Sequence, residues 1–256
     1  ALTETWLTAG DAPLSSDLLL LLKDDCYVSP LYFQYLQQLL TKYWPSNRSK
    51  HDQQLIGVSL SAVTLNELSH PPTPWQSHKR LGGNPFVYLH SVPSSCAMYF
   101  GDKWREFFTF YSSRGKPPFF DVAGEVNIGQ PLGDVNLLVP QSRSNYWGSS
   151  WRRFMVDFMF GRGYYVIYPN NRTYVTPVLQ HTDENIGLGL MTQALEIPSQ
   201  KNLPELSQLP VFDLFCRPSS RQTLGYAGDK FLERISNLGN GYQSLLRDWF
   251  RPCIFD

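Results

Sequence analysis

Leu18-Leu19-Leu20-Leu21-Leu22-Lys23-Asp24-Asp25-Cys26-Tyr27-Val28-Ser29-Pro30 places an unbroken apolar run, an acidic pair and a helix start in that order. A short all-apolar run bounded by turn residues predicts a strand buried on both faces, which belongs to a parallel or mixed sheet covered by helices. Ser29-Pro30 then supplies an N-cap and a proline at the first helical position. Leu31, Phe33, Tyr35, Leu36, Leu39, Leu40 and Tyr43 continue as a largely apolar helix that stops at Trp44-Pro45. Leu55-Ile56-Gly57-Val58-Ser59-Leu60 is a second candidate buried strand, so strand, helix and strand follow as in a βαβ unit. The expected class is α/β. In open α/β sheets ligands bind at the carboxyl ends of strands. Asp24 and Asp25 stand at such an end and could hold a divalent cation that neutralises a diphosphate. Equally, an Asp-Asp pair can end a strand and cap the following helix.

Composition bounds the function from the other side. The chain has 256 residues, with 22 Lys+Arg against 22 Asp+Glu and a sequence pI near 7.1. No global basic field exists to hold DNA or RNA, so a nucleic-acid partner is disfavoured. The length suits one large domain or two small ones, ample for a core without disulfide or metal staples. Aromatics reach 14% while charged residues are only 17%, a surface that would suit hydroxyl-rich ligands, although aromatics fill cores more often. Leu18 to Leu22 is the longest aliphatic run, far short of the roughly 20 residues that span a bilayer. The first residues show no basic segment followed by an apolar one. Cys26, Cys96, Cys216 and Cys253 form no C-x-x-C pair, so neither a zinc knuckle nor a thioredoxin motif is supported. Two N-x-S/T sequons, at Asn47 and Asn171, point to glycosylation and a secretory compartment.

Further along, residues 66 to 84 read as a long loop. Phe86 to Leu89 is a short strand and Trp104 to Tyr111 a helix, and residues 112 to 148 are Gly-, Pro- and Asn-rich. Ser149-Ser150 cap a helix from Trp151 to Phe160, ended by Gly161-Arg162-Gly163, and Tyr164 to Tyr168 is a strand. A polar, Pro-punctuated tail runs to Pro210, followed by surface helices over 230 to 235 and 242 to 250. Trp104 and Trp151 keep helical spacing with their neighbours and belong to the core. Trp75 and Trp147 lie in loops and are open to stacking on sugar rings.

The segment Leu20 to Tyr35 resembles the metal-binding segment of GT-A-type glycosyltransferases: an apolar strand, acidic residues, an extended piece, Ser-Pro and an aromatic helix. Leu55 to Leu60 is similar to the strand that follows it. Arg143-Ser144-Asn145-Tyr146-Trp147, Ser150 to Met155 and Arg162 to Asn170 resemble a eukaryotic, plant-type branch of the same superfamily. The likeness runs in order over residues 1 to 185. It implies a GT-A-like mixed sheet covered by helices in that region, lacking the N-terminal nucleoside-binding part, with residues 186 to 256 as an extension packed on the core. It implies transfer of a hexosyl or N-acetylhexosaminyl group from a nucleotide-sugar donor to a glycan or glycoprotein acceptor in the secretory lumen, the Golgi above all. Any membrane anchor would lie outside this chain.

By that resemblance Asp25 binds Mn2+ or Mg2+, with Asp24 beside it. Lys23, Asp24 and Asp25 contact the donor, and His181 is a candidate third ligand, although an ordinary loop histidine is the plainer reading of it. Lys23 stands where the family has an acid, and Pro177-Val178 where it carries Asn-His. A carboxylate base is also implied, but the matching position is Gly148-Ser149-Ser150-Trp151. The candidates that remain are Asp121, Glu125 and Asp134, or Asp157, which reads as a solvated helix residue. Trp75 and Trp147 are the candidate acceptor contacts. The departures at Lys23 and Ser149-Ser150 equally fit a catalytically inactive GT-A-like module that binds glycans or scaffolds a complex.

Overall fold

The computed structural model of the chain describes residues 17–22, 26–29, 31–44, 52–75, 84–93, 96–114, 139, 142–147, 150–170, 178–180 and 202–236. Its strands are β1 (Leu18–Leu21), β2 (Cys26–Val28), β3 (Leu55–Ser59), β4 (Leu65–Asn66), β5 (Thr73–Pro74), β6 (Phe86–Leu89), β7 (Ala97–Phe100), β8 (Tyr165–Pro169), β9 (Val178–Gln180), β10 (Val211–Phe212) and β11 (Pro218–Ser219). Its helices are α1 (Tyr32–Tyr43), α2 (Gly101–Arg114), α3 (Trp151–Arg162) and α4 (Arg221–Ser236).

The fold is α/β around one mixed seven-stranded sheet in the order β1-β7-β3-β8-β6-β10-β11. β7 runs antiparallel to both neighbours, β1 and β3, while β3 and β8 are parallel. The strand-helix-strand unit therefore exists, but β7 is inserted between its two strands. β1 is not buried on both faces as its composition predicts: it lies at the sheet margin, and Leu18 and Leu22 are 41% and 40% exposed. A strand with a ladder on one side only leaves its outer flank in reach of solvent, and a leucine run does not encode its place in the order.

Alternation along the other strands explains the two layers. Val87, Leu89, Tyr99, Val166 and Tyr168 point to one face, where α2 and α3 cover them with Trp104, Phe107, Met155 and Met159. Phe86, Tyr88, Met98, Phe100, Tyr165 and Ile167 point to the other, under Tyr35, Leu36, Leu39 and Tyr43 of α1. Each such buried side chain contributes about 1.5–3 kcal/mol relative to exposure. Gly57 permits the central crossing of β3 with β7. A Cβ on Gly57 would stand 2.2 Å from the Met98 carbonyl oxygen, and on its other side the register of β3 with β8 shifts between Leu55 and Gly57.

The ends of α3 follow from its sequence. Ser150 occupies the N-cap position in extended conformation, although its side chain makes no capping bond. Gly163 adopts φ 65° at the other end, where its N–H and that of Tyr164 close the last turn on the Phe160 and Met159 carbonyls. Trp104 is buried and meets Trp151 at 6.0 Å between ring centroids, so both tryptophans pack in the core as expected. From Phe154 to Gly161 α3 is apolar except for Asp157, and the helix buries both Arg153 and Asp157. This corrects the reading of Asp157 as a solvated residue: at 1% exposure it lies inside the fold, one turn from Arg153.

Residues beyond 186 enter the sheet itself. β10 pairs in parallel with β6, Val211 with Tyr88 and Phe212 with Leu89, and β11 pairs back on β10. The turn between them is built by Asp213, whose Oδ1 accepts from the N–H groups of Phe215 and Arg217 while Cys216 takes a positive φ of 56°. α4 then reaches α3 through glycines, since a Cβ on Gly228 would meet the Gly161 carbonyl at 2.9 Å. Arg221 braces this junction by pairing with Asp52 at 2.7 Å and donating to the Leu206 carbonyl at 2.6 Å. Tyr165 donates its hydroxyl to the same Asp52 carboxylate.

Candidate functional site

β1, β3 and β8 point the same way, so their carboxyl ends open on one edge of the sheet, where loops rather than ladders supply side chains. Leu22 leaves β1 there and the chain resumes as β2, which pairs antiparallel with β9: Cys26 with Gln180, Tyr27 with Leu179, Val28 with Val178. From β3 the chain turns at Ser59, whose hydroxyl donates to the Ser61 carbonyl at 2.8 Å and accepts from the Ser61 N–H at 3.2 Å.

Residues 66 to 84 were expected to be a long loop, but β5 lies within that stretch and forms a small antiparallel hairpin with β4 at its start. Trp75 N–H donates to the Thr64 carbonyl at 2.8 Å. Asn66 donates to the Phe215 carbonyl at 2.9 Å and accepts from the Ser69 N–H at 3.2 Å. These bonds fix the loop from three directions.

Beside this loop lies a small cleft that encloses about 50 Å³, lined by Ser61, Thr64, Glu67, Ser91, Val92 and Tyr168 among others. Arg152, in the first turn of α3, donates from Nη2 to Glu67 Oε2 at 2.6 Å and to the Val92 carbonyl at 3.3 Å. The same guanidinium sits 4.8 Å from the centroid of the Trp147 ring. Both members of the ion pair are about a quarter exposed, with side-chain accessibilities of 22% and 26%. Tyr168 closes the cleft floor, its hydroxyl donating to the Ser91 carbonyl at 3.0 Å. Burial, reinforced by Tyr99, drives its pKa well above the usual phenol value, so it remains a neutral donor.

His90, on the residue after β6, is wholly buried, with Phe160 at 5.9 Å between ring centroids. Burial holds its imidazole down to about 3; the Met159 carbonyl, which faces the ring without an aligned hydrogen bond, offsets this only in part. It is a neutral core histidine. Lys103, Glu106 and Tyr164 form a second buried polar group at the opposite end of β8. There Lys103 donates to the Tyr164 oxygen at 3.1 Å and Tyr164 donates to Glu106 at 2.6 Å.

The residues singled out from sequence distribute as follows. Lys23, Asp24, Asp25, Asp121, Glu125, Asp134, His181, Asn47 and Asn171 lie outside the described residues. Trp75 is 7% exposed and packs edge-on against Phe212 at 5.3 Å, so its ring belongs to the core and has no face to offer a sugar. Trp147 is half-buried beside Arg152. Glu67 and Arg152 carry no motif and were not expected. Among the described residues no group of three His, Cys, Asp or Glu side chains could hold a metal, and no helix is long and apolar enough to cross a membrane. Comparison with known proteins finds no matching family model, no similar curated protein and no similar solved structure.

Proposed function

We propose that the chain is a GT-A-type glycosyltransferase core that moves a hexosyl or N-acetylhexosaminyl group from a nucleotide sugar to a hydroxyl of a glycan or glycoprotein. The observation that carries this reading is the β2–β9 ladder. Cys26, which follows Asp25 in sequence, is paired with Gln180, which precedes His181. Two donors named by the resemblance, far apart in the chain, are thus the sequence neighbours of one backbone pair. A carboxylate and a neutral imidazole form a donor set suited to Mn2+, and carboxylates alone suit Mg2+. Asp24, Asp25 and His181 would hold the ion, which when bound supplies charge stabilisation to a departing diphosphate.

The chain's own residues would divide the remaining work. Lys23 offers a cation to a phosphate oxygen. One of Asp121, Glu125 and Asp134 takes the proton of the acceptor hydroxyl as the new glycosidic bond forms. The loop after β3 receives the acceptor. The two sequons at Asn47 and Asn171 favour a secretory, Golgi-type lumen.

A second reading, a non-catalytic glycan-binding or scaffolding module, is favoured by one observation: the N-cap of α3 is Ser150, which cannot act as a base. Calorimetry with Mn2+ and a panel of nucleoside diphosphates tests the proposal, followed by a transfer assay. Metal-dependent heat that Asp25→Ala abolishes is the expected result. Absence of heat for every nucleotide overturns metal-assisted donor binding, and binding without transfer to any acceptor upholds the non-catalytic reading.

A further inference from the structure

The chain from 203 to 217 crosses the sheet margin from one layer to the other. Leu203 and Leu209 pack in the layer under α1, whereas Phe212, Leu214 and Cys216 pack in the layer under α2 and α3. On the way Val211 and Phe212 pair with β6, and this strap then meets the loop after β3. There the Phe215 carbonyl accepts from Asn66 Nδ2 at 2.9 Å, and Phe212 packs edge-on with Trp75 at 5.3 Å between ring centroids. The turn behind Phe215 aims it. Asp213 Oδ1 accepts from the N–H groups of Phe215 and Arg217 at 2.8 and 2.9 Å, and Oδ2 accepts from Arg217 Nε at 2.8 Å. One side chain that bonds the backbone ahead of it in this way builds the turn.

Both sides of this contact are unfavourable in themselves. Cys216, next to Phe215, is 4% exposed and holds φ 56°, a left-handed conformation that side chains other than Asn and Asp rarely take. Trp75 is buried, and its Nε1–H meets no acceptor among the described residues. Closure therefore takes a donor out of water without replacing its bond. Backbone strain of this kind gathers at switching segments. The far side of the loop is held separately, because the Arg143 N–H donates to the Leu68 carbonyl at 2.9 Å and Arg152 to Glu67 at 2.6 Å. Loss of the strap contact frees β5 and Trp75 while Glu67 and Leu68 stay in place.

We infer that the turn at 213–217 is a latch on the loop after β3, closed while Asp213 presents the Phe215 carbonyl to Asn66 and poised to release β5 with the Trp75 ring. Release returns the indole N–H to water. That this opening admits an acceptor rests on the transferase reading; the latch itself does not.

Hydrogen–deuterium exchange followed by mass spectrometry, on the whole chain and without substrate, tests the latch. In Asp213→Ala, exchange over 64–75 is expected to rise about tenfold, the effect of one lost hydrogen bond on a local opening equilibrium, while α1 and α3 keep wild-type rates. Asp213→Asn, which keeps an oxygen for the two N–H groups, restores most of the protection. Glu205→Gln loosens the other end of the strap at Lys42 and leaves the loop unchanged. Asn66→Asp breaks the latch from the opposite side, since its carboxylate still accepts from the Ser69 N–H but has no hydrogen for the Phe215 carbonyl.

Wild-type exchange over 64–75 in a folded Asp213→Ala protein, or an equal rise there in Glu205→Gln, overturns the latch. Should Asp213→Ala raise exchange throughout the chain, Asn66→Asp decides: a rise confined to 64–75 upholds the latch and any other pattern overturns it. On the transferase reading, Asp213→Ala also changes KM for the acceptor and not for the nucleotide sugar. Absence of transfer by every variant, with the selective exchange intact, removes that reading and leaves the latch standing.

Discussion

Gly57→Ala probes the crossing on which the whole site edge depends. Gly57 pairs with Tyr99 at the centre of the sheet, and a Cβ there would lie 2.2 Å from the Met98 oxygen, 3.1 Å from Tyr99 Cα and 3.2 Å from Met98 C. All three are backbone atoms, so no rotamer change relieves the contact. β3 must move away from β7 by roughly 1 Å to reach an ordinary van der Waals distance, which takes the local ladder bonds past useful length. Overpacking costs about 1–3 kcal/mol, and a buried backbone pair left short of its partners adds about 1–3 kcal/mol. A total of about 2–6 kcal/mol, at roughly 2–4 °C per kcal/mol for a chain of this size, lowers Tm by about 12 °C at the middle of both ranges.

Thermal unfolding followed by circular dichroism measures this directly. Gly225→Ala is the matched control, because a Cβ there meets only the Gln54 amide at an ordinary 3.5 Å and sits in α4, where alanine favours helix by up to about 1 kcal/mol. A Gly57→Ala protein that melts within about 2 °C of wild type, or together with Gly225→Ala, refutes the close β3–β7 approach and the strand order built on it.

Two further outcomes follow from buried charge. Burial holds native His90 near 3 while the unfolded imidazole titrates near 6.5. Between those values only the unfolded state carries the proton, so stability is lost as pH falls from about 6.5 towards 3. Urea midpoints should therefore drop more steeply with acid for wild type than for His90→Phe, and parallel pH profiles would rule out the histidine as a cause. Arg221→Ala leaves the Asp52 carboxylate, 10% exposed, with the Tyr165 hydroxyl but no counter-charge. It should cost about 2–4 kcal/mol by denaturant unfolding, and a loss under about 1 kcal/mol would mean the brace between the 202–236 segment and the sheet is incidental.

How much of this was legible in sequence depends on how local each signal is. β3, β6 and β8 are short apolar runs closed by turn residues, and α1 and α3 carry helical spacing with recognisable ends. All of them read correctly to within a few residues. β1 read correctly as a strand but not as an edge, because position in a sheet is set by distant partners. β7 was missed because it is only four residues long and passes directly into α2 at Gly101, with no turn to mark its end. β10 and β11 are two residues each, one of them a proline, too short for alternation to show. Asp157 was misjudged although the signal was present: Met155, Val156, Phe158 and Met159 flank it, so the stretch of helix that carries it is apolar on both sides of it and buried. Glu67 and Arg152 are 85 positions apart, and nothing in either neighbourhood announces the other.

The strand order also dictates when the protein can become itself. β8 lies between β3 and β6, yet it is made long after both, and β6 waits still longer for β10 on its far side. As the chain leaves the ribosome, β3 can pair with β7 on one side only and β6 has no ladder at all until distant segments arrive, the condition under which folding is slow and association with other chains competes. Synthesis of this protein is therefore a period of exposure that ends only near Ser219, and its cellular yield should respond to chaperone supply more sharply than its final stability suggests.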